Sequence, residues 1–383
     1  MLEGLFGVSL LLVAFAYFGY PLVIWLRART HALPIAVRNW EPSVDVLVVA
    51  YNAAAELAAK LQNLASLDYP RERITIHIAS DGSSDDTIAI AEAAGVRVHA
   101  FAERRGKSAC LGDVLPRLTG EIVVLMDVRQ RLEADAVRAL LRPLADPTIG
   151  AVSGELMFER ADAALRGFGG GVDIYWKYEK FIRRHEAISG SVVGVTGALY
   201  AIRRALAPAV PPGLILDDLW IPLAVARSAR VVFANDAIAW DRVSEDPARE
   251  AQRKRRTLAG NFQIIERDPA LLLPWTHPLG WRIWGHKWLR LAVPWLLAIA
   301  LLCNVALAGT SMLWTVLLAG QIALYALAIV GIVMPGTLGI LPVRIAATFV
   351  RMNAYAVLGL FDFVRDRDAH LWRVSAGANG AAR

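Results

Sequence analysis

Leu5–Leu26 is a long apolar run without a single charge, and it is long enough to cross a lipid bilayer as a helix. Glu3 is the only charged side chain ahead of it, whereas Arg27 and Arg29 follow it directly. A cleaved signal peptide would instead carry Lys or Arg before the run. Because basic residues gather on the cytoplasmic side, the pattern predicts a membrane anchor over residues 1–30 whose carboxyl end faces the cytoplasm.

Further apolar runs follow residue 288. Leu291–Ala308 and Met312–Met334 carry no charge and are joined by a short link, which predicts a helical hairpin across the bilayer. Leu338–Phe363 is interrupted by Arg344 and Arg351 on one helix face, which predicts an in-plane, a re-entrant or a third spanning helix in this region. An aromatic and basic stretch before these runs predicts an interfacial helix. The predicted regions are the membrane anchor over 1–30, a cytoplasmic domain over 43–270, the interfacial helix over 274–290, a membrane region over 291–364 and a tail over 365–383.

The overall composition favours a membrane protein over a nucleic-acid binder. Hydrophobic residues make up 56% of the chain and the mean hydropathy is +0.42, more than a soluble core requires. The net charge is +6, and much of the basic excess lies beside the apolar runs, where it favours an anionic membrane surface. These features predict a multi-pass protein of the cell's inner (plasma) membrane, with a cytoplasmic body over 43–270 and no nucleic-acid partner.

Residues 43–270 alternate between short apolar runs and helical patterns. Strands that alternate with helices at this spacing predict an α/β domain with a parallel sheet covered on both faces. The predicted strands have the sequences VDVLVVA, ITIHIAS, VRVHAF and EIVVLMD. The predicted helices are Glu56–Leu67, Asp85–Ala94, a stretch that begins at Lys107, and Ala134–Leu144.

Polar side chains stand where three of these predicted strands end. Tyr51 and Asn52 follow the first strand, Asp81 follows the second, and Asp127 ends the fourth. In open α/β sheets, ligands bind at the carboxyl ends of strands, near a switch in strand order. The sequence therefore predicts a binding site that contains these four residues.

Six segments occur in an order that identifies a family. They are VVAYNAAAEL, IASDGSSDDT, RRGKSACLG, VVLMDVRQ, LILDDLWIP and RKRRTLAGN, all within residues 43–265. The series resembles membrane-bound family 2 glycosyltransferases, which include cellulose, hyaluronan and poly-N-acetylglucosamine synthases. The resemblance implies a GT-A-like fold, a mixed and mainly parallel sheet with helices on both faces, plus transmembrane helices.

The resemblance also implies roles in binding a nucleotide-sugar donor. Tyr51 and Asn52 resemble the turn that contacts the nucleoside, and Asp81 resembles the acid that accepts hydrogen bonds from uracil or ribose. Lys107 resembles the lysine near the diphosphate or the donor sugar, a role that suits a flexible ammonium group.

Asp127 resembles the first acid of the family's DxD element, which binds Mg²⁺ or Mn²⁺ between the two phosphates. A divalent ion needs only one or two carboxylates when phosphates and waters complete its shell. Arg129 stands where the family has the second acid. It either contacts the phosphates directly or weakens the affinity for the metal.

Asp218 resembles the general base of the family, at the end of an element in which Asp217 and Leu216 replace the usual residues. An inverting transfer needs a carboxylate that removes the proton of the acceptor hydroxyl. Asp217 then either orients the site or caps the following helix. Thr196 and Gly197 resemble the loop that lines the donor-sugar and acceptor pocket.

The last segment departs most from the family pattern. Processive synthases carry Q-x-x-R-W, and in this register Arg253, Arg256 and Thr257 take the places of its glutamine, arginine and tryptophan. Arg256 is suited to stabilise the leaving diphosphate, and Arg253 lies one helical turn before it. Without the tryptophan, processive polymerisation is not expected.

The predicted activity is inverting transfer of a sugar from a nucleotide sugar, with a UDP-sugar favoured, to a lipid-linked or glycan acceptor. Two alternatives stay open on the residues alone. One is a nucleotidyltransferase on a similar sheet, and the other is a non-catalytic membrane scaffold or regulatory subunit that keeps a degenerate transferase domain.

Overall fold

The computed structural model describes residues 1–159, 166–242, 247–366 and 371. These residues form two compact units. One is helical and is built from the described residues within 1–32, 160–189 and 244–364, and the other contains the sheet and is built from the described residues within 33–159 and 190–243. The tail predicted over 365–383 lies almost wholly outside the described residues.

The sheet unit contains an eight-stranded sheet in the order β3-β2-β1-β4-β7-β6-β8-β5. β1, β2, β3 and β4 pair in parallel, whereas β7 runs antiparallel to both of its neighbours. The predicted mixed, mainly parallel sheet is therefore confirmed. The strands are β1 Val44–Ala50, β2 Ile74–Asp81, β3 Arg97–Phe101, β4 Ile122–Asp127, β5 Arg131–Leu132, β6 Ile149–Phe158, β7 Leu199–Arg203 and β8 Arg230–Asp241.

Buried β-branched and aliphatic side chains explain why the central strands form. Every residue of β1 is buried, and so is every residue of β4 before Asp127, as expected for strands covered on both faces. The helices of this unit are α3 Ala54–Ala65, α4 Thr87–Ala93, α5 Lys107–Val114, α6 Ala136–Leu144 and α8 Asp217–Val225. All four helices predicted from the sequence are present within a few residues of their predicted bounds.

Among its described residues, the helical unit contains four helices that are long and apolar enough to cross a membrane, namely Leu2–Thr30, Gly280–Leu307, Met312–Val333 and Leu341–Arg365. The chain is accordingly a membrane protein. The α-helical segments of the helical unit are α1 Leu2–Ala14, α2 Tyr20–Thr30, α7 Arg166–Ile188, α9 Pro247–Arg267, α10 Gly280–Ile283, α11 Leu289–Leu307, α12 Met312–Val333 and α13 Leu341–Arg365.

Two features of this unit differ from the predicted organisation. The interfacial helix predicted over 274–290 begins at Gly280 and continues through a π-helical turn into the span that ends at Leu307. Pro294 lies within this helix without ending it, so the basic segment and the apolar one form one helix. In addition, α7 lies in the sequence range of the predicted 43–270 domain but belongs to the helical unit.

A buried polar cluster joins α7 to the other helices of this unit. His286 Nδ1 lies 2.9 Å from Glu186 Oε1, and His286 Nε2 lies 2.7 Å from Glu179 Oε1. Tyr20 donates a hydrogen bond to Glu186, and Arg290 Nη1 donates to Glu179 Oε2 at 3.1 Å. Because buried carboxylates require paired partners, this cluster fixes α7 against the helices that carry those partners.

Candidate active site

The strand registers bring the predicted site residues to one edge of the sheet. Val49 of β1 pairs with Asp127 of β4 on one side and with Ala79 of β2 on the other. Tyr51 and Asn52 follow β1 directly, and Asp81 ends β2. The site predicted from strand ends is therefore formed around β1.

Lys107 links two of the predicted acids. Its Nζ lies 2.9 Å from Asp127 Oδ1 and 3.2 Å from Asp217 Oδ2, and its side chain is largely buried. Burial alone would lower the pKa of Lys107, but the carboxylates of Asp127 and Asp217 raise it well above its usual value. Lys107 is therefore a fixed cation between the end of β4 and the start of α8.

Asp217 is a buried partner of this lysine and also accepts a hydrogen bond from Tyr200 Oη at 3.4 Å. Asp217 is the first residue of α8. Its contacts with Lys107 and Tyr200 are those expected of a residue that orients the site.

Asp218 faces a loop that the sequence also indicated. A Cβ atom placed on Gly197 would lie 3.3 Å from Asp218 Oδ2, so only a glycine leaves full space beside this carboxylate. The neighbouring Val195 N–H donates to the Asp218 backbone carbonyl at 2.9 Å, and Thr196 is buried with its N–H bonded to Ser153 Oγ at 3.0 Å. The loop 194–197 therefore forms one wall beside the proposed base.

Asp81 organises the loop that precedes Lys107. Its Oδ1 accepts the Arg105 N–H at 2.7 Å, and its Oδ2 accepts the Gly106 N–H at 2.9 Å. Gly82 approaches the same loop so closely that a Cβ atom would lie 2.6 Å from the Arg104 nitrogen, and its φ of +67° is one that glycine adopts readily. Asp81 thus has a positioning function in addition to the nucleoside contact implied by the resemblance.

Tyr51 is covered by an arginine that the sequence analysis did not single out. The guanidinium carbon of Arg104 lies 4.0 Å from the centre of the Tyr51 ring. Arg104 Nε and Nη2 are buried and have no hydrogen-bond partner among the residues that the structure describes. Buried N–H groups normally have a hydrogen-bond partner. The Arg104 guanidinium is therefore suited to donate hydrogen bonds to a bound ligand.

Asn52 supports the turn after β2. It has a positive φ of 45°, and its Oδ1 accepts the Ser84 N–H at 2.8 Å. Its own N–H donates to Ser83 Oγ at 3.1 Å. Asn52 therefore ties together the turns that follow β1 and β2.

Lys60 on α3 lies beneath the site and was also not singled out. It is buried, and its Nζ donates to the Gln130 carbonyl at 2.7 Å. Burial lowers the pKa of Lys60 to about 8, and the charge of Asp127 opposes that shift. A buried lysine behind Asp127 adds positive charge to this end of the site.

Arg129 and the two arginines of α9 have different surroundings. Arg129 Nη2 donates to Asp241 Oδ2 at 2.5 Å in the sheet unit. Arg253 and Arg256 lie on α9 of the helical unit, where Arg253 has Glu250 at 3.9 Å. All the other predicted site residues belong to the sheet unit.

Asp127 is the residue here that suits a divalent cation. Its side chain is 33% exposed, and its contact with Lys107 uses Oδ1. Within the described ranges, no three His, Cys, Asp or Glu side chains lie close enough to enclose a metal. The residues therefore fit an ion held jointly with the phosphates of a donor.

Comparisons with known proteins show a likeness to one family over part of the chain. A family model described as "Glycosyl transferase family 2" matches residues 45–207. The chain is 26% identical over 254 residues to a beta-monoglucosyldiacylglycerol synthase from Synechocystis sp., covering 63% of this chain and 52% of the relative. It is 31% identical over 127 residues to the cellulose synthase catalytic subunit [UDP-forming] from Xanthomonas axonopodis pv. citri, covering 32% of this chain and 17% of the relative. The chain thus spans about half, or less, of the length of these relatives.

A solved structure resembles most of the chain. It is a mannosyltransferase from Pyrobaculum calidifontis in complex with GDP-Man and Mn²⁺, with a TM-score of 0.68 and 25% identity. The match covers 94% of this chain and 99% of that one. Together with the site at the ends of β1, β2 and β4, these likenesses show a resemblance to the family 2 glycosyltransferases, and residues 45–207 carry the match to the family model.

Proposed function

We propose that the protein transfers a sugar, with inversion, from a nucleoside diphosphate sugar to a lipid-linked or glycan acceptor. The observation that carries the proposal is Lys107 held between Asp127 and Asp217. This contact places a cation suited to the donor diphosphate beside the two acids at the start of α8. The proposal makes Lys107 a donor-binding group and Asp218 the general base, and sugar transfer requires two such groups close together.

The proposed chemistry assigns one role to each side chain. Asp218 removes the proton of the acceptor hydroxyl, and the hydroxyl oxygen forms a bond to the anomeric carbon. The bond from that carbon to the diphosphate oxygen breaks on the opposite face, and the electron pair leaves with the diphosphate. Lys107 stabilises the developing charge while Asp217 holds it in place.

A divalent ion belongs to this proposal. Asp127 would hold Mg²⁺ or Mn²⁺ together with the phosphate oxygens, and the bound ion would supply further positive charge to the leaving group. The Mn²⁺ in the Pyrobaculum calidifontis mannosyltransferase supports this assignment.

A UDP-sugar is the donor that we propose. The Xanthomonas relative is named as UDP-forming, whereas the Pyrobaculum neighbour was solved with GDP-Man. A lipid-linked acceptor is supported by the four apolar helices of the same chain and by the name of the Synechocystis relative, a diacylglycerol glycolipid synthase. We also propose that the sheet unit faces the cytoplasm at the inner membrane, because Arg27 and Arg29 follow the first apolar run.

The full chain in nanodiscs tests this function when it is given a panel of UDP- and GDP-sugars with lipid extract as acceptor. Nucleoside diphosphate release and radiolabelled product are expected with one UDP-sugar. Turnover of a GDP-sugar alone would contradict the proposal that the donor is a UDP-sugar.

In sealed membrane vesicles, added donor should be used by inside-out vesicles only. Use of the donor by right-side-out vesicles would contradict the proposed orientation of the sheet unit.

Arg104→Ala is expected to weaken donor binding by about ten-fold, because it removes a guanidinium stacked on Tyr51 whose buried N–H groups face no described partner. Calorimetry with UDP measures the loss. Arg105→Ala is the matched control, since that side chain is exposed and paired with Asp113. Equal affinities in both variants would exclude Arg104 from the donor site.

The product is expected to be a single or short addition, because Thr257 stands where processive synthases carry a tryptophan that stacks on the acceptor. Thr257 is exposed on α9, and its hydroxyl is bonded to the Arg253 carbonyl at 3.0 Å. Mass spectrometry of products made by the purified protein measures chain length. A ladder of long chains would contradict this expectation.

A further inference from the structure

The segment after Asp127 is held from both sides. On one side, α3 contributes Lys60, which bonds the Gln130 carbonyl, and Asn63, which forms two hydrogen bonds with the backbone of Leu132. These have lengths of 2.7 Å from Leu132 N to Asn63 Oδ1 and 2.9 Å from Asn63 Nδ2 to the Leu132 carbonyl. Residues 128–132 therefore cannot shift without breaking buried contacts.

On the other side, the segment is held by Asp241 at the end of β8. One carboxylate oxygen of Asp241 accepts Arg129 Nη2 at 2.5 Å and Gln130 Nε2 at 2.9 Å, and the other accepts the Arg242 N–H at 2.8 Å. The side chain of Asp241 is 1% exposed, whereas that of Arg129 is 52% exposed. A buried carboxylate with three donors is a rigid anchor for a guanidinium whose remaining surface faces solvent.

The position of Arg129 matters because Asp127 is only two residues away. Two residues span at most about 7 Å of chain, so a diphosphate held at Asp127 would lie within the length of the Arg129 side chain. Only Nη2 is used by Asp241. A guanidinium has five N–H groups in a planar fork that matches phosphate oxygens, so others can meet a donor diphosphate there.

We propose that Asp241 positions Arg129 as a fixed diphosphate-binding group, so that part of the donor affinity is independent of the metal. The inference rests on the proposed function, since it assigns a contact within the same donor site. Asp241 is a positioning residue, and Arg129 is the residue that touches the diphosphate. The Arg129–Asp241 ion pair carries no net charge, so it contributes to donor affinity through directed hydrogen bonds. The positive charge of the metal ion is still needed to balance the diphosphate.

The test is calorimetry of UDP and GDP binding to the full chain in nanodiscs, with Mg²⁺ or with EDTA. Arg129→Ala is expected to lower affinity for the preferred nucleotide by about ten-fold in both conditions. Arg129→Lys should recover only part of it, because an ammonium lacks the planar fork. Arg131→Ala is the matched control, as Arg131 is equally exposed and pairs with Glu133 and Glu159.

A second substitution tests the positioning role of Asp241. Asp241→Asn should lower affinity nearly as much as Arg129→Ala, and the double variant should lose no more than Arg129→Ala alone, because both act on one contact. Unchanged binding of Arg129→Ala in EDTA, or additive losses in the double variant, would overturn the inference while leaving the function intact. Wild-type protein that binds neither nucleotide in Mg²⁺ would instead refute the proposed function and this inference with it.

Discussion

Asp218→Asn is expected to slow sugar transfer by about 10² to 10⁴ while donor affinity changes little. The carboxamide has nearly the same shape as the carboxylate, so the packing against Gly197 should persist. It cannot accept a proton at neutral pH, so the acceptor hydroxyl is not activated. Transfer rate with the preferred donor and UDP affinity by calorimetry, measured on the same preparation, separate the two effects.

Asp217→Asn is the matched control because it changes the adjacent acid, which is buried and bonded to Lys107. It is expected to slow transfer less than Asp218→Asn and to weaken donor binding more, since Lys107 loses one of its two anchors. Near-normal turnover in Asp218→Asn with loss of turnover in Asp217→Asn would show that the base is Asp217. Full activity in both variants would refute the site assignment as a whole.

Asp127→Asn is expected to reduce transfer by about 10² or more and to remove the Mg²⁺ or Mn²⁺ dependence of donor binding, because the carboxamide is a poor ligand for a hard cation. It also takes one carboxylate away from Lys107. Donor affinity titrated against metal concentration gives the readout, and the metal-dependent part should disappear.

Asp113→Asn is a suitable control for that experiment, because Asp113 is an exposed acid paired with Arg105 and lies outside the proposed machinery. Its metal titration should match that of the wild type. Wild-type turnover that is indifferent to a chelator would refute the metal role of Asp127, and the diphosphate would then depend on Arg129 and Lys107.

The parallel half of the sheet was predictable because its short apolar strands alternate with helical patterns, and three of the strands are followed or ended by polar residues. The same pattern located Asp81 and Asp127, since residues at the carboxyl ends of adjacent parallel strands meet at one edge. β7 lies beside β4 but was not predicted. Its residues are as apolar as those of a parallel strand, so its sequence gives no signal of its antiparallel direction.

The contacts behind the site were beyond sequence reasoning for a different reason. Asp241 lies 112 positions from Arg129, and Lys60 lies 70 positions from Gln130. A lone aspartate at the end of a strand and a lone lysine in a helix have ordinary surface explanations. Only the fold shows that both are buried and directed at the segment after Asp127, and that Asp81 and Asn52 also hold neighbouring turns.

The buried cluster around α7 limits how this protein can be shortened for study. A fragment over residues 43–270, the range predicted as the catalytic domain, would keep Glu179 and Glu186. It would lack Tyr20, His286 and Arg290, the side chains that bond them. Both carboxylates would then lose these buried partners, and Glu179 would keep Arg183 at 3.8 Å. The membrane helices are thus more than a tether that can be deleted, because they complete a buried polar cluster that a water-soluble fragment would leave incomplete.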